Sequence, residues 1–324
     1  MERTADLKRV VIEVFGGCNY TCKMCPQTTP GREASFLRKM PLDLFEDILD
    51  QITPKYGTPL INLEGSGEPT QAKDLPLYIE ACTKRGLKSY IYSNGTGMHG
   101  DYMKDCVDAG LGLFRFSVIG YNRETYKEWM NADNFDMIYQ YAGEMRDYIS
   151  ASNSKCELHS YHLILDPNKV EWELNQYLNN FVNKLGIYGY VWMMHNWSGN
   201  FNTPYTRDTS RRRTCGRPAA DELTVRAGGL KGHRAAVTPC CQVLGPPTES
   251  KSVLGHLDTQ TFEQVYWGEA YETLRKLHAE ERFDEIPYCK DCDFLYDDPE
   301  VLVWSNHYNA GVGKMIGVEV EINN

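Results

Sequence analysis

The stretch Val10-Val11-Ile12-Glu13-Val14-Phe15-Gly16-Gly17-Cys18-Asn19-Tyr20-Thr21-Cys22-Lys23-Met24-Cys25 decides how this chain is read. Its first six residues are apolar except for Glu13 and read as a buried strand. The three cysteines that follow keep a C-x-x-x-C-x-x-C spacing. Three thiolates in one short loop can converge on a single inorganic centre. No histidine lies close by to supply a fourth corner, since the first in the chain is His99. A structural zinc site takes four protein ligands and closes completely. A cubane held by three thiolates leaves one iron open, and an open iron can bind a substrate. The loop therefore points to a reactive cluster, with zinc or a chance grouping as the competing reading.

Outward from that loop, residues 10 to about 195 alternate short apolar runs with longer amphipathic ones, the pattern of repeated βα units. Strands are predicted at 10–15, 60–63, 89–92, 113–118, 158–165 and 188–194. Between them, 42–52, 75–85, 101–109, 135–148 and 172–185 carry apolar residues at helical spacing. The expected fold is α/β, a partial (β/α)6 TIM-like barrel with a small C-terminal domain. Ligands of such barrels meet the loops at the C-terminal ends of the strands. The cysteine loop follows the first strand directly and lands on that face. The barrel is assigned to residues 1–205, with 199–213 reading as a linker. A second domain rich in cysteine and Gly–Gly or Pro–Pro pairs follows at 206–300, with one helix near 262–277. The tail, 301–324, is expected to pack back on the barrel.

Composition narrows the class. The chain has 324 residues, ordinary apolar and charged fractions and a net charge of −10, which suits a large soluble fold and argues against broad nucleic-acid binding. No secretory signal or membrane-length apolar run is read. Eleven cysteines in such a chain read as a reduced, cytoplasmic, metal-binding set rather than a disulfide framework.

The cysteine loop resembles the signature of the radical S-adenosylmethionine (SAM) superfamily, with Met24 where an aromatic residue is usual. The resemblance implies a [4Fe–4S] cluster on Cys18, Cys22 and Cys25 whose open iron chelates SAM. Gly65-Ser66-Gly67-Glu68-Pro69 is similar to the family's G-G-E-P element, with Ser66 replacing a glycine. Gly67 and Glu68 are thereby expected at the SAM amino group, where a carboxylate accepts from an ammonium. Ser93 and Asn94, in Ser93-Asn94-Gly95-Thr96, resemble a family loop near SAM, and Ser117 resembles the serine that bonds the SAM ribose. Relatives carry an aspartate where this chain has Ile119 and an arginine near Trp129-Met130-Asn131, so the resemblance names no residue for the SAM carboxylate. His195 resembles the strand end on the adenine side and reads equally well as a polar residue at the barrel rim.

Cys215, Cys240, Cys241, Cys289 and Cys292 form the second concentration, ending in a C-x-x-C pair. Spacing alone fits zinc or a second [4Fe–4S] cluster. The segment as a whole is similar to the auxiliary-cluster module of the family, the SPASM or shortened twitch type. With no cysteine after Cys292, one auxiliary cluster is expected, on Cys215, Cys240, Cys289 and Cys292. Cys241 is left as a candidate catalytic hydrogen-atom donor, as a buried apolar residue, or as the ligand in place of Cys240. Cys82, Cys106 and Cys156 read as core residues, and Arg211-Arg212-Arg213 as a solvated linker or an anion contact. Three functions follow. The first is a radical oxidoreductase acting on a small hydroxyl- or amine-bearing substrate, with a flavodoxin- or ferredoxin-type electron donor. The second is a radical epimerase or maturase of a peptide or sugar. The third is a non-catalytic iron–sulfur or zinc scaffold.

Overall fold

The computed structural model describes residues 5–28, 38–205, 210–244, 252–296 and 302–307, with two short paired strands at 314–315 and 318–319. Six strands, β1 (Arg9–Ile12), β2 (Leu60–Asn62), β3 (Ser89–Ser93), β4 (Leu113–Ser117), β5 (Glu157–Ile164) and β6 (Tyr188–Met193), lie side by side in sequence order and all parallel. A parallel sheet needs cover on its outer face. Helices α1 (Leu42–Ile52), α2 (Leu75–Lys84), α3 (Gly100–Asp108), α4 (Arg123–Met130), α5 (Phe135–Ala151) and α6 (Val170–Tyr177) supply it. In α1, Leu44, Phe45, Ile48, Leu49 and Ile52 repeat every three or four residues and are all buried. Cys82, Cys106 and Cys156 sit in the core. The helix expected at 172–185 begins at Val170, widens through a π turn at Leu178–Val182 and ends in α7 (Asn183–Leu185).

Helix α4 is absent from the sequence reading. Only Tyr126 and Met130 of its eight residues are buried, so it shows little periodicity. Its start is fixed by a capping box in which Asn122 and Thr125 each bond the other's backbone. The helix expected at 262–277 is two helices, α8 (Phe262–Tyr266) and α9 (Glu269–Ala279), parted at Gly268.

The C-terminal segment extends the barrel's own sheet. Strand β7 (Glu222–Ala227) runs parallel to β1, pairing Val10 with Leu223, and β8 (Ala235–Thr238) and β9 (Gly255–His256) add antiparallel strands beyond it. At the opposite edge, β10 (Leu302–Ser305) pairs antiparallel with β6. Both edges of the six-stranded sheet are thereby covered.

The N-terminal end of the barrel is plugged. Arg115, on β4, is 4% exposed and lies over the rings of Tyr190 at 3.9 Å and Tyr92 at 4.7 Å. Its Nη2 donates to His159 Nδ1 at 3.1 Å. Glu157 Oε2 lies 3.3 Å from His159 Nε2 and 2.8 Å from His307 Nε2, and Lys88 holds the other oxygen at 2.6 Å. These side chains fill the floor, and the cysteine loop lies at the other mouth.

Candidate functional site

The cysteine loop hangs from the C-terminal end of β1 and is pinned from three sides. Glu68 N donates to Gly17 O at 2.7 Å. A Cβ on Gly67 would fall 2.3 Å from Phe15 O and 2.4 Å from Gly17 O, so only glycine lets these two backbones pass. That close approach is to the stem of the cysteine loop, and Gly67 also lines the cavity at the mouth. Asn94 Nδ2 donates to Asn19 Oδ1, and Asn19 Nδ2 donates to Thr96 Oγ1, both at 2.9 Å. The end of α4 supplies the third clamp: Lys23 N donates to Trp129 O at 2.8 Å and Asn131 Nδ2 to Thr21 Oγ1 at 2.7 Å. Met130 Sδ sits 3.8 Å from Cys22 Sγ. Tyr20 N reaches back to Cys18 Sγ at 3.4 Å, the kind of contact that tunes a ligating sulfur.

Glu68 is 3% exposed. Its Oε1 accepts from Thr70 N (3.0 Å), Thr70 Oγ1 (2.7 Å) and Ser93 Oγ (2.6 Å), while Oε2 accepts only from Asn94 N (2.8 Å). Burial pushes this carboxyl above its ordinary value against the opposing pull of those bonds. An oxygen with one donor keeps a lone pair for another, and Glu68 lines the mouth of the barrel.

That mouth is a cavity of about 410 Å³. It brings together Cys18, Cys22, Cys25, Glu68 and Gly67 with Ser93, Asn94, Ser117, His195 and Cys241. His195 stacks on Trp197 with ring centroids 4.1 Å apart and meets the edge of Phe294 at 5.2 Å. Sequence reading missed the deeper wall: Arg9, Glu64, Tyr92, Tyr161, Arg217 and Arg226. A signal for it existed. Charged residues inside otherwise apolar strands, such as Glu13, Arg115 and Arg226, mark positions that face a polar interior, and period two extends that face from Glu13 to Arg9.

Two of those arginines are committed within the chain. Arg9 Nη2 pairs with Glu222 at 2.7 Å; Arg226 pairs with Glu13 and donates to the carbonyls of Cys241 and Val243, each at 3.2 Å. Glu64, by contrast, accepts one bond, from Asn62 Nδ2 at 3.1 Å, and forms no ion pair among the described residues. Burial raises its pKa, opposed by Asn62 and by the charges of Arg9, Arg115 and Arg226.

The second cysteine set comes from three segments. Cys289 and Cys292 face each other across a turn closed by Cys292 N on Cys289 O at 2.8 Å. Burial, then the charge of neighbouring thiols, pushes Cys240 and Cys292 up to about 12; Cys215 and Cys240 are among the neighbours that raise Cys292 and Cys289. Cys241 points the other way, into the barrel cavity, where its Sγ accepts from Arg217 Nη1 at 3.4 Å.

The donor sets test what they could hold. Zinc bound by thiolates at about 2.3 Å would place the sulfurs about 3.8 Å apart. Among the described residues, no three cysteines bring their sulfurs within 4.8 Å of one another, and donor sets made of thiolates alone suit an iron–sulfur cluster at both places. Burial, then Cys25 and Cys18, holds the Cys22 thiol well above its ordinary range, a proton that metal binding displaces. The one compact trio is Glu157, His159 and His307 in the barrel floor. There the Arg115 guanidinium donates to His159 Nδ1, so neutral His159 carries its proton on Nε2, the atom a metal would need. That trio is a hydrogen-bonded plug.

A partial barrel with a three-cysteine loop at its open mouth and a carboxylate beside it defines a cluster-and-SAM protein. Residues 12–159 match the radical SAM superfamily and residues 232–293 match the SPASM iron–sulfur cluster-binding domain. The chain is a radical SAM protein with a SPASM domain C-terminal to its radical SAM domain. The first domain implies a [4Fe–4S] cluster and SAM, and the second an auxiliary iron–sulfur centre. The chain is 30% identical over 113 residues to a tungsten-containing aldehyde ferredoxin oxidoreductase cofactor-modifying protein of Pyrococcus furiosus, covering 35% of this chain and 31% of that one. It spans 30–40% of the length of the curated relatives it matches. Its fold is similar to BtrN in complex with AdoMet and 2-DOIA (TM-score 0.58, 18% identity, 90% of this chain and 94% of that chain). It is also similar to Streptococcus suis SuiB bound to the precursor peptide SuiA (TM-score 0.54, 14% identity, 90% and 71%). Among the described residues no helix is long and apolar enough to cross a membrane.

Proposed function

We propose that this protein oxidises a small polar substrate, a hydroxyl- or amine-bearing molecule of sugar or aminocyclitol size, by radical SAM chemistry. The observation that carries the reading is Glu64, a carboxylate in the deep wall of the cavity with no ion-pair partner among the described residues, beside arginines already engaged elsewhere. Such a group is an acceptor waiting for a ligand's hydroxyl or ammonium hydrogens. When bound and reduced by a flavodoxin- or ferredoxin-type donor, the cluster and SAM would supply a 5′-deoxyadenosyl radical to remove one substrate hydrogen atom, the remaining electron passing to the auxiliary centre and the remaining proton to solvent. The chain's residues do the rest. Cys18, Cys22 and Cys25 hold the cluster, and the Glu68 Oε2 lone pair receives the SAM ammonium. Ser93 and Asn94 fix that carboxylate, and Ser117 and His195 flank the nucleoside. Cys215, Cys240, Cys289 and Cys292 hold one auxiliary centre. The domain division near residue 205 separates these two ligand sets.

A second reading has one observation in its favour. Cys241 lines the same cavity and engages Arg217 through a sulfur lone pair, which leaves its S–H free to return a hydrogen atom to a substrate radical. The protein would then be an epimerase or maturase. The deciding experiment runs the reaction in deuterated water with the native chain and with Cys241→Ala. A product two hydrogens lighter, formed equally by both, supports oxidation. Solvent deuterium at an inverted carbon that disappears in the variant would overturn it.

A further inference from the structure

The loop after β6 and the C-x-x-C loop are locked together. Asn196 N donates to Asp293 Oδ2 at 2.8 Å, Asp293 N returns a bond to Asn196 Oδ1 at 3.1 Å, and Asn196 Nδ2 donates to Asp291 O at 2.7 Å. Asp291 and Asp293 flank Cys292, so one asparagine grips the chain on both sides of that cysteine. Asp293 is buried. On its other side Asn196 lies between His195 and Trp197, and both of these line the cavity.

The grip is tight enough to sustain an unfavourable backbone. Trp197 and Ser198 have φ of 45° and 59°, left-handed values that strain a non-glycine residue. Gly199 follows at φ 80°, and a Cβ there would fall 2.7 Å from Asp291 Cβ. Two consecutive non-glycine residues stay in that region only where surrounding contacts over-determine them. Segments 195–199 and 289–294 are therefore tied at several points, with Phe294 packed on His195 as a third contact.

We propose that this clasp couples the two centres, so that SAM at the barrel mouth changes the environment of the auxiliary centre through Asn196 and Asp293. The proposal rests on the reading above, which puts His195 beside SAM and makes Cys292 an auxiliary ligand. Hydrogen bonds and dipoles around ligating sulfurs set a cluster's potential, and any such coupling is reciprocal between the two sites. Asn196 is a positioning residue in this scheme, and so is Asp293.

The test uses the full chain, reconstituted anaerobically, with redox titration followed by electron paramagnetic resonance, with and without SAM. Roughly eight irons per chain establish two cubanes. In the native chain SAM is expected to shift the midpoint potential or g-values of the auxiliary signal. In Asn196→Ala that shift disappears while the iron content stays. In Asp293→Asn, whose amide oxygen still accepts from Asn196 N, the shift is retained. Should Asn196→Ala lose iron, Gly199→Ala parts the same two loops with a single methyl and is expected to abolish the shift too. Roughly eight irons with a signal that ignores SAM, or an equal shift in Asn196→Ala, overturns the clasp alone. Roughly four irons overturns the two-cluster reading and takes the clasp with it.

Discussion

At the floor of the barrel, Arg115, Glu157, His159 and His307 meet within a few ångströms, and at the mouth Arg9, Glu64, His195 and Arg226 are gathered in the same way. The residue types are alike, and residue type alone would nominate either end. What separates them is bookkeeping of protons and partners. In the floor, Arg115 is matched to His159 and to aromatic faces, and Glu157 is matched to Lys88 and two imidazoles. In the mouth, Glu64 has a single amide for company and Glu68 keeps one oxygen half used. The floor is the better matched of the two, although Arg115 Nε has no hydrogen-bond partner, and a carboxylate with a single donor keeps acceptor capacity for a ligand.

The largest expected effect comes from breaking the mouth at its first ligand set. Cys22→Ala should lower iron from roughly eight to roughly four per chain and abolish reductive SAM cleavage. An unchanged iron content would place the cluster elsewhere. Breaking the floor should act on stability instead. Arg115→Met removes the donor to His159 Nδ1 and the cation from the Tyr92 and Tyr190 faces, and leaving a buried acceptor unpaired costs about 1–3 kcal/mol. Denaturant unfolding measures that loss, and SAM affinity should stay unchanged; a variant as stable as the native chain would show the plug to be idle.

Glu64→Gln sharpens the contrast further, because it keeps the shape of the wall and removes only the charge. A hydrogen bond to a charged group is worth about 1.5–3 kcal/mol, so kcat/KM for the physiological substrate should fall roughly 10- to 150-fold. Unfolding free energy and SAM affinity should hold steady. Loss of stability with turnover intact would reassign Glu64 to the structural side of the comparison.

Much of this contrast was legible in sequence, and the part that was not has a physical reason. The six parallel strands showed as apolar runs, because a strand buried on both faces leaves little else to read. The two cysteine groups showed because their spacing is local and survives without coordinates. Helix α4 did not show, because it buries two residues and is specified by the Asn122 cap. The sheet's continuation through β7 was hidden by distance along the chain: β1 pairs with residues more than two hundred positions away. The close approach of Gly67 to Phe15 and Gly17 was hidden, since no one-dimensional pattern says whether a glycine makes room for a ligand or for the chain itself. Glu64 was missed because a free carboxylate is defined by the absence of partners, which only coordinates reveal.

The smallest effect tests the proton assignment in the floor directly. Burial first, then the nearby charges of Arg115 and His307, lower the pKa of His159 to about 2, against about 6.5 in an unfolded chain. Between those values the unfolded chain binds a proton that the native one refuses. Stability must therefore fall as the pH drops below about 6.5, by up to about 1.4 kcal/mol per unit, and the loss is complete only near pH 2. From pH 7 to pH 5 the contribution is about 2 kcal/mol. His159→Gln removes the titrating ring while its amide can still accept from Arg115 and donate to Glu157. The unfolding free energy of the variant should fall by about 2 kcal/mol less than that of the native chain over this interval, and any acid effect on the clusters is common to both and cancels in the difference. Equal slopes would mean that His159 takes up its proton in the folded protein. Arg115 would then have to turn away, because both ring nitrogens of a protonated imidazole are donors and Nδ1 could no longer accept from the guanidinium.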